Sequence, residues 1–486
     1  MQGGVIQSGA KPDNAVADAI MGGNKGAQQC NTPEEMEVVK MVSKIYQEAK
    51  QWGETWNKND SRFWNLWESN HYKGRVSRTL TQAIVNQVWS SVETVLGHVA
   101  DGLPEPNCSS RRPEFKEKAK KCAKWLKYVA DRNNLDQEVQ HPTRSACVTG
   151  LGWLSVEWDM TADNGRGDVL IKAVDEKFVY VAPYARNLQE ALYVIEAKNI
   201  PRDTMLKLYP ERGKYVPPGV WDGTLNNLRA YAESNRQNAG SPDYSLLTTT
   251  TGSDSRWSGS SGVTGGSKSN LVTLLKAYIR QDDGTMRLVV VANGVLLSDD
   301  LSPYDDDDFP YVPFNVCPTL DTIKGRSLVQ FIEGLQDILN QSISLLIDQQ
   351  RFAADPMLIV SAQNLEDGQL VDNRPGAVLP NSDVGHEGYS WLTAPGFNAA
   401  WLQIQELVND YMDSVLGRVD ILKGERPAGV NTLGGLEIIR DEANVRMRTM
   451  IRWILASIKR MYLLALSRLR QFAKDERTLR VTGKRG

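Results

Sequence analysis

The chain has 486 residues, of which 41% are hydrophobic and 24% are charged, a composition typical of a folded protein with two or three domains or one elongated subunit. Lys and Arg number 56 against 59 Asp and Glu, so the net charge of −3 lacks the basic excess that tight nucleic-acid binders carry. The five cysteines are far apart and form no CxxC pair, which argues against a disulfide framework and a zinc site.

The first third of the chain is predicted to be mainly helical. Residues 1–32 are rich in Gly, Ala, Asn and Gln and are expected to form a flexible arm. Thr32 is a predicted N-cap, with Pro33 in the first turn of the first helix. The apolar stripe of that helix is expected at Val38, Met41, Ile45 and Ala49. Two more helices are predicted over 79–100 and 113–132, and the lysine run of the second is typical of a solvated face.

Strand and turn signals follow. The stretch "GWLSVEWDMTADNGRGDVLIKAVD" has two alternating runs around Asp-Asn-Gly, which predicts a hairpin. Residues 235–270 are rich in Ser, Thr and Gly and are expected to form a linker. Turns at 282–284 and 293–294 predict three strands, after which four aspartates (305–308) precede the aromatic and proline-rich stretch "FPYVPFN". The aspartates are expected to end the third strand.

A helix predicted over 325–353 carries an apolar stripe whose spacing of three and four suits packing against another helix. The stripe consists of Leu328, Ile332, Leu335, Leu339, Ile343 and Leu346. Short strands, a helix beginning after Asn398, a loop and a long helix over 436–473 are predicted next. Arginines interrupt the apolar residues of the long helix, so no membrane partner is expected.

No motif for catalysis or cofactor binding is present in the sequence. Cation-binding loops alternate their carboxylates and include a Gly, whereas the four aspartates are adjacent, so a solvated, repulsive turn is expected rather than a metal site. GxxxxGK[ST], GxSxG and HExxH are absent, and neither an enzyme nor a cofactor is expected, although a carboxylate dyad stays open.

The order of elements resembles that of tailed-phage portal proteins, closest to the portals of short-tailed phages. An aromatic-proline strand leads to Gly325-x-Ser327 and to a helix with a Leu-Gln…Asn…Ser rhythm at 335, 336, 340 and 344. The stretch "GERPAGVNTLGGLEIIRDEANVRMRTMIRWI" is also similar to that family, and the likeness runs from about residue 40 to 482.

The resemblance implies an α+β subunit with a helical wing and stem, a β-hairpin wing layer, a small β-rich clip insertion and a long C-terminal helix. The implied divisions are an arm (1–32), a wing (33–234), a linker (235–270), a clip (271–324), a stem helix (325–353), wing strands with a helix and a candidate channel loop (354–435), and a wing or crown helix with a tail (436–486).

The resemblance also implies a function. About twelve copies would form a ring at one capsid vertex, assembled in the host cytoplasm, through which double-stranded DNA passes without sequence specificity during packaging and ejection. The implied partners are the terminase large subunit, head–tail adaptor or tail proteins, and the major capsid and scaffolding proteins. The alternatives are another ring-forming head–tail adaptor or scaffold protein, and a packaging ATPase, which would require a phosphate loop.

Site residues follow from the same resemblance. The channel would be lined by Lys324, Arg326, Lys423 and Arg426. The motor or tail would dock on Asp305, Asp306, Asp307, Asp308, Phe309 and Tyr311. The apolar stripe of 325–353 would pack the ring. A nearly neutral chain suits a DNA channel, because each fixed phosphate contact would hold the DNA back.

Overall fold

The computed structural model describes residues 30–72, 81–101, 105–110, 112–217, 271–354, 357–360, 389–392, 400–416 and 445–473. The chain divides into two compact units. The first unit contains the described residues up to 60, those from 96 to 327 and those from 450 onward, and the second contains those of 61–95 and 328–449. The predicted linker at 235–270 and most of the predicted arm lie outside the described residues.

Helices and strands are both abundant, which confirms the α+β class. The longer described helices are α1 (Pro33–Asn57), α2 (Asp60–Trp67), α3 (Gln87–Asp101), α4 (Lys116–Arg132), α5 (Leu135–Val148), α6 (Arg202–Leu208), α7 (Leu328–Ala354), α8 (Ala400–Leu416) and α9 (Val445–Phe472). The described strands are β1 (Gly152–Asp159), β2 (Asp168–Val174), β3 (Val179–Val181), β4 (Tyr193–Pro201), β5 (Leu271–Arg280), β6 (Met286–Ala292), β7 (Val295–Leu301), β8 (Tyr311–Phe314), β9 (Met357–Val360) and β10 (Tyr389–Leu392).

The predicted hairpin turns are confirmed. β1 and β2 pair antiparallel around the Asp163-Asn164-Gly165 region, and β5 to β7 are joined by the two predicted turns. Asn293 and Gly294 have φ values of 44° and 85°, the left-handed pair that a tight two-residue hairpin turn requires. These turns were predictable because their chemistry is local.

The predicted clip does not form a sheet of its own. β5 pairs with β4 over nine residues, from Tyr193↔Ile279 to Pro201↔Leu271, and the five-stranded sheet has the order β3-β4-β5-β6-β7. Strand β8 joins a different sheet, of order β2-β1-β8. The strands assigned to a separate clip are therefore continuous with strands assigned to the wing, because the β4–β5 pairing joins segments that are distant in sequence.

Both faces of the five-stranded sheet are covered within the first unit. One face packs with the buried side of α1, in a cluster that includes Val42 and Tyr46 of the helix and Leu275 of the sheet. The other face packs with residues of β1 and β8, including Trp153 and Tyr311. The core of this unit is thus built on the two sides of one sheet.

Helix α1 begins where the sequence predicts it but is rotated. The Thr32 hydroxyl accepts from the Glu35 amide and the Glu35 carboxylate accepts from the Thr32 amide, a capping box that confirms the predicted start. Its fully buried stripe is Val39, Val42, Tyr46 and Ala49, while Met41 is exposed. Val38 and Ile45 are half-buried and pack against the same core, so only Met41 of the four predicted stripe residues was wrong. The predicted arm also ends earlier than expected, since Asn31 bonds Gly294 and Leu296 of the sheet.

The Gly-x-Ser sequence before α7 has a structural role in the first unit. The Ser327 hydroxyl donates to the carbonyls of Cys147 and Val148, which satisfies orphan carbonyls at the end of α5. Gly150 has φ +97° and approaches Gly325 so closely that a Cβ atom on Gly150 would lie 2.2 Å from the Gly325 carbonyl oxygen. Glycine is required at residue 150 for both reasons.

The second unit contains a pair of packed helices. Leu339 of α7 contacts Val408 and Met412 of α8, with further apolar residues packed around them. β9 and β10, which lie between the two helices in sequence, pair antiparallel from Met357↔Leu392 to Val360↔Tyr389.

Within the described part of the chain, no helix combines the length and the apolarity that crossing a membrane requires.

Candidate functional site

Two of the four consecutive aspartates are engaged inside the first unit. They lie in a turn between β7 and β8. An Asp306 carboxylate oxygen is 2.6 Å from Nη1 of Arg468, and an Asp308 oxygen is 2.8 Å from Nη2 of Arg460. Asp305 and Asp307 are exposed. The expectation of four unpaired carboxylates was wrong for Asp306 and Asp308, because arginines far along the sequence reach them.

Arg468 lies on the buried stripe of α9. Its side chain is 0% exposed, and its guanidinium carbon lies 3.5 Å from the centroid of the Tyr304 ring. Nearby, the rings of Trp158 and Phe472 stack at 5.2 Å. The aspartate turn thus fastens the end of α9 to the β-rich part of the first unit.

The electrostatics of Asp306 favour its charged form. Burial by itself would raise the pKa of this carboxyl, but hydrogen bonds from Arg468 and Ser467 and the charge of Arg468 outweigh that effect. The pKa of Asp306 therefore lies below its usual range, as expected of a carboxylate that is bound as an ion.

The aromatic residues of the predicted docking site are buried in the subunit. Phe309 packs in the core with Arg280 over its ring, and the Tyr311 hydroxyl donates to Glu196 at 2.7 Å. Burial and the charge of Glu196 raise the pKa of Tyr311 well above its usual value. Both side chains anchor β8 and its approach, which leaves the exposed Asp305 and Asp307 as the surface part of the predicted site.

The predicted channel residues are in different situations. Lys423 and Arg426 lie outside the described residues. The Lys324 amine is 2.6 Å from an Asp60 carboxylate oxygen and also donates to Asn57, within the first unit. Arg326 is exposed. Lys324 is thus largely used inside the subunit, whereas the Arg326 side chain is accessible.

The predicted ring-packing stripe of α7 is mostly buried within a single copy of the chain. Leu328, Ile332 and Leu339 are almost fully buried, and Leu335 and Ile343 pack with α8. Leu346 is half-buried. This stripe therefore packs mainly inside one subunit, because the helix it was spaced to meet is the chain's own α8.

A polar ladder occupies another side of α7. Residues 81–86 are extended rather than helical. Every second backbone amide of residues 81–87 donates a hydrogen bond to a side chain of α7. In order, the amides of Thr81, Ala83, Val85 and Gln87 donate to Asp348, Ser344, Asn340 and Gln336. The spacing of the amides matches the spacing of the side chains, because two extended residues span about 6.7 Å and four helical residues about 6 Å.

The ladder explains why the second predicted helix began too early. The prediction placed its start at residue 79, but the amides up to residue 87 are held by α7, and α3 begins at Gln87 with Asn86 bonding the Trp89 amide. The ladder was not predicted from the sequence, although a polar residue at every fourth position of α7 is a visible signal.

A histidine contacts one of the ladder side chains. His71 Nδ1 lies 2.6 Å from Asn340 Nδ2, and burial lowers the pKa of His71, which favours the neutral ring that can accept this bond.

A comparison with protein families supplies the decisive observation. A family model described as phage P22-like portal protein matches residues 44–486. The chain belongs to the phage P22-like portal protein family. No curated protein matched the chain.

Membership of the portal family gives the subunit a general role. It is a phage portal protein, a structural component of the capsid that assembles as an oligomeric ring and handles DNA. The Gln…Asn…Ser rhythm noted in the sequence corresponds to the ladder side chains of Gln336, Asn340 and Ser344. In this portal chain those residues hold the 81–87 segment against α7.

The portal subunit exposes apolar side chains on its helix pair. Eight large apolar residues of α7 and α8 are between 36% and 53% exposed. Leu402 lies on another side of α8, and the other seven are Phe331, Ile338, Leu345, Ile404, Leu407, Tyr411 and Val415. We call these seven the helix-pair surface. At about 100° per residue, the exposed stripe of each helix lies about 100° from its buried stripe, in the same rotational sense on both helices. The surface is about 20 Å long and covers on the order of 300 Å², the size at which apolar patches mark interaction sites.

A second apolar surface belongs to the same unit. Ile84, Val85 and Trp89 are exposed, and we call them the segment surface. They belong to the stretch of chain that begins at the ladder. The ladder side chains of α7 lie about 140° around the helix from its exposed apolar stripe. The second unit therefore carries two different apolar surfaces on different sides.

Among the described residues, no group of three or more His, Cys, Asp or Glu side chains is arranged to hold a metal ion.

Proposed function

We propose that about twelve copies of this chain form a closed ring at one capsid vertex, through which double-stranded DNA is packaged and later ejected. The observation that carries the proposal is the family match over residues 44–486. The ring docks the terminase large subunit during packaging and then the head–tail adaptor or tail proteins. Contacts with the major capsid and scaffolding proteins, and assembly in the host cytoplasm, belong to the same proposal.

The ring contact joins the helix-pair surface of one copy to the segment surface of the next. A closed ring requires two different complementary surfaces on each subunit, because the contact is heterologous. The second unit has two such surfaces, and seven apolar side chains on the first would otherwise stay in water. This contact replaces the predicted one, since the original stripe is mostly buried inside the subunit.

A complementation experiment tests this contact. Ile338→Glu damages the helix-pair surface and Trp89→Glu damages the segment surface, so each variant is expected to stay monomeric in native mass spectrometry. Leu320→Glu, at a residue that is 89% exposed in the first unit, is the control and should assemble normally.

Mixing the two variants separates a heterologous contact from other arrangements. Each variant keeps one intact surface, so a mixture of isotope-labelled Ile338→Glu with unlabelled Trp89→Glu should give a dimer with one copy of each and no ring. Rings formed by either variant alone, or a mixture that stays entirely monomeric, would contradict the proposed contact.

The channel and docking surfaces are proposed from what remains accessible. Arg326 is the candidate that can face DNA from the described residues, together with Lys423 and Arg426 as predicted from the sequence. For docking of the motor and the tail, Asp305 and Asp307 keep exposed carboxylates. The β9–β10 ribbon is a second docking candidate, because it comes between α7 and α8 in the sequence and pairs with no strand of the larger sheets in the described chain.

Docking at the aspartates can be measured directly. Binding of the terminase large subunit to Asp305→Asn/Asp307→Asn rings should weaken most at low salt, where charge steering is strongest. Unchanged binding would remove the aspartates from the docking surface and leave the β9–β10 ribbon as the docking candidate.

The alternative function, a ring-forming adaptor or scaffold protein without a portal role, predicts rings that do not support DNA packaging.

A further inference from the structure

One helix of the first unit carries a strong positive charge in a chain that is negative overall. α4 contains seven basic and two acidic residues, a net charge of +5, whereas the whole chain has −3. Six of the basic residues are lysines at 116, 118, 120, 121, 124 and 127. We call these six the lysine ridge. It extends over about 16 Å of the helix.

The ridge is held facing the solvent. On the opposite side of α4, Leu126 and Val129 are buried, and Arg132 lies 2.5 Å from the buried carboxylate of Asp168. Asn133, directly after the helix, exchanges hydrogen bonds with Val169 and Ile171 of β2. The helix is therefore fixed to the sheet by one side, and five of the six lysines, at 116, 118, 120, 121 and 124, are exposed.

Most charges of the ridge are not neutralised by an ion pair within the described residues. Lys127 pairs with Glu105 at 3.1 Å, and Lys118 lies over the Phe115 ring. The other ridge lysines form no ion pair in the described part of the chain. Like charges three and four residues apart destabilise a helix by about 0.2–0.5 kcal/mol per pair. The repulsion among the other five lysines is offset by no ion pair in the described part of the chain.

We infer that the lysine ridge binds the phosphate backbone of duplex DNA, without sequence specificity and outside the central channel. A DNA backbone fits the ridge better than an acidic protein surface does, because lysine is depleted in the cores of protein interfaces whereas phosphate contacts rely on Lys and Arg. A channel that must let DNA slide is a poor place for such a ridge, since every fixed phosphate contact resists sliding. This site goes beyond the proposed function, which requires DNA only inside the ring.

Closed circular DNA distinguishes the ridge from the channel. An intact circle cannot thread a preformed ring, so its binding reports surfaces outside the channel. The salt dependence of circle binding should be measured for the unchanged chain, for Lys116→Gln/Lys120→Gln/Lys124→Gln, and for a control with the same charge change, Lys40→Gln/Lys44→Gln/Lys58→Gln on exposed lysines of or next to α1.

The ridge variant should lose about 2 to 3 units of the slope of log affinity against log salt for each subunit in contact, since each phosphate contact contributes about 0.9. The drop in affinity between 50 and 200 mM salt then shrinks by roughly 40-fold. The control should keep the slope of the unchanged chain. Equal slopes for the ridge and control variants would overturn the inference, and so would binding of linear but not circular DNA.

Native mass spectrometry of the same samples separates this result from the ring proposal. If the chain formed no ring, the slopes would still report the ridge, because both variants would be compared in the same oligomeric state.

Discussion

The fastening of α9 by the aspartate turn gives a sharp mutational prediction. Asp306→Ala removes the carboxylate that lies 2.6 Å from Arg468, whose side chain is 0% exposed. The remaining guanidinium would stay buried with the Tyr304 ring and no counter-ion, because its Nε and Nη2 atoms have no hydrogen-bond partner among the described residues. Breaking a buried ion pair in this way costs about 3–5 kcal/mol.

The adjacent aspartate supplies a matched control. Asp305→Ala removes the same charge from the same turn, but Asp305 is exposed, so we expect a cost below about 0.5 kcal/mol. The assay is amide hydrogen exchange of peptides from α9, which measures the local opening free energy without assuming that the two units unfold together. Equal protection of α9 in the two variants would refute the role of the turn.

Two further measurements test the same ion pair. Asp306→Leu/Arg468→Met replaces the pair by apolar side chains and should recover most of the protection, since removing both partners leaves no buried charge. The pKa of Asp306 is lowered in the folded chain, so its stabilisation is complete above the pKa of about 3.9 in the unfolded chain and is lost as the pH falls through the folded value. In Asp306→Ala, the stability of the fold should therefore fall less steeply as the pH is lowered.

The ladder and the glycine contact make two further predictions. Asn340→Leu leaves the Val85 amide without its acceptor and should reduce the protection of residues 83–87 from hydrogen exchange by about 1–3 kcal/mol. Gln341→Leu, at an exposed residue of the same helix, should not reduce it. Equal exchange in the two variants would exclude the ladder. Gly150→Ala should destabilise the first unit in thermal unfolding, because its Cβ would meet the Gly325 carbonyl, whereas Gly97→Ala in α3 meets nothing within 4 Å and should be neutral or stabilising; a neutral Gly150→Ala would contradict the close approach.

Local signals in the sequence predicted much of the fold. The N-cap at Thr32 and the Asn293-Gly294 turn depend on neighbouring residues only, and both were predicted correctly. The five-stranded sheet was not predictable in the same way, because β4 and β5 are separated by about seventy residues. A turn signal identifies a hairpin but not which other strand lies at its edge.

The candidate sites were less predictable for a related reason. Consecutive aspartates look solvated in the sequence, and only the folded chain brings Arg468 and Arg460 to two of them. A signal existed in α9, where Arg468 continues the buried stripe of Ile454, Ile458, Met461 and Ala465. An arginine on an apolar stripe indicates a buried partner, although it does not say which acidic residue that is.

The apolar stripe of α7 illustrates the same limit. Its spacing predicted packing against a helix, and it packs with α8 of the same chain. The residues proposed here for the ring contact, such as Phe331, Ile338 and Leu345, recur every seven residues on another side of α7. Periodicity alone could not tell which of two apolar stripes meets its own chain and which meets a neighbour.

The mass of the intact assembly, measured by native mass spectrometry on the unmodified chain, tests the central proposal most directly. A portal ring predicts one dominant species of about twelve subunits that does not grow with concentration, because a heterologous contact closes on itself. A monomer or dimer at every concentration, or open-ended assemblies of increasing mass, would contradict the account.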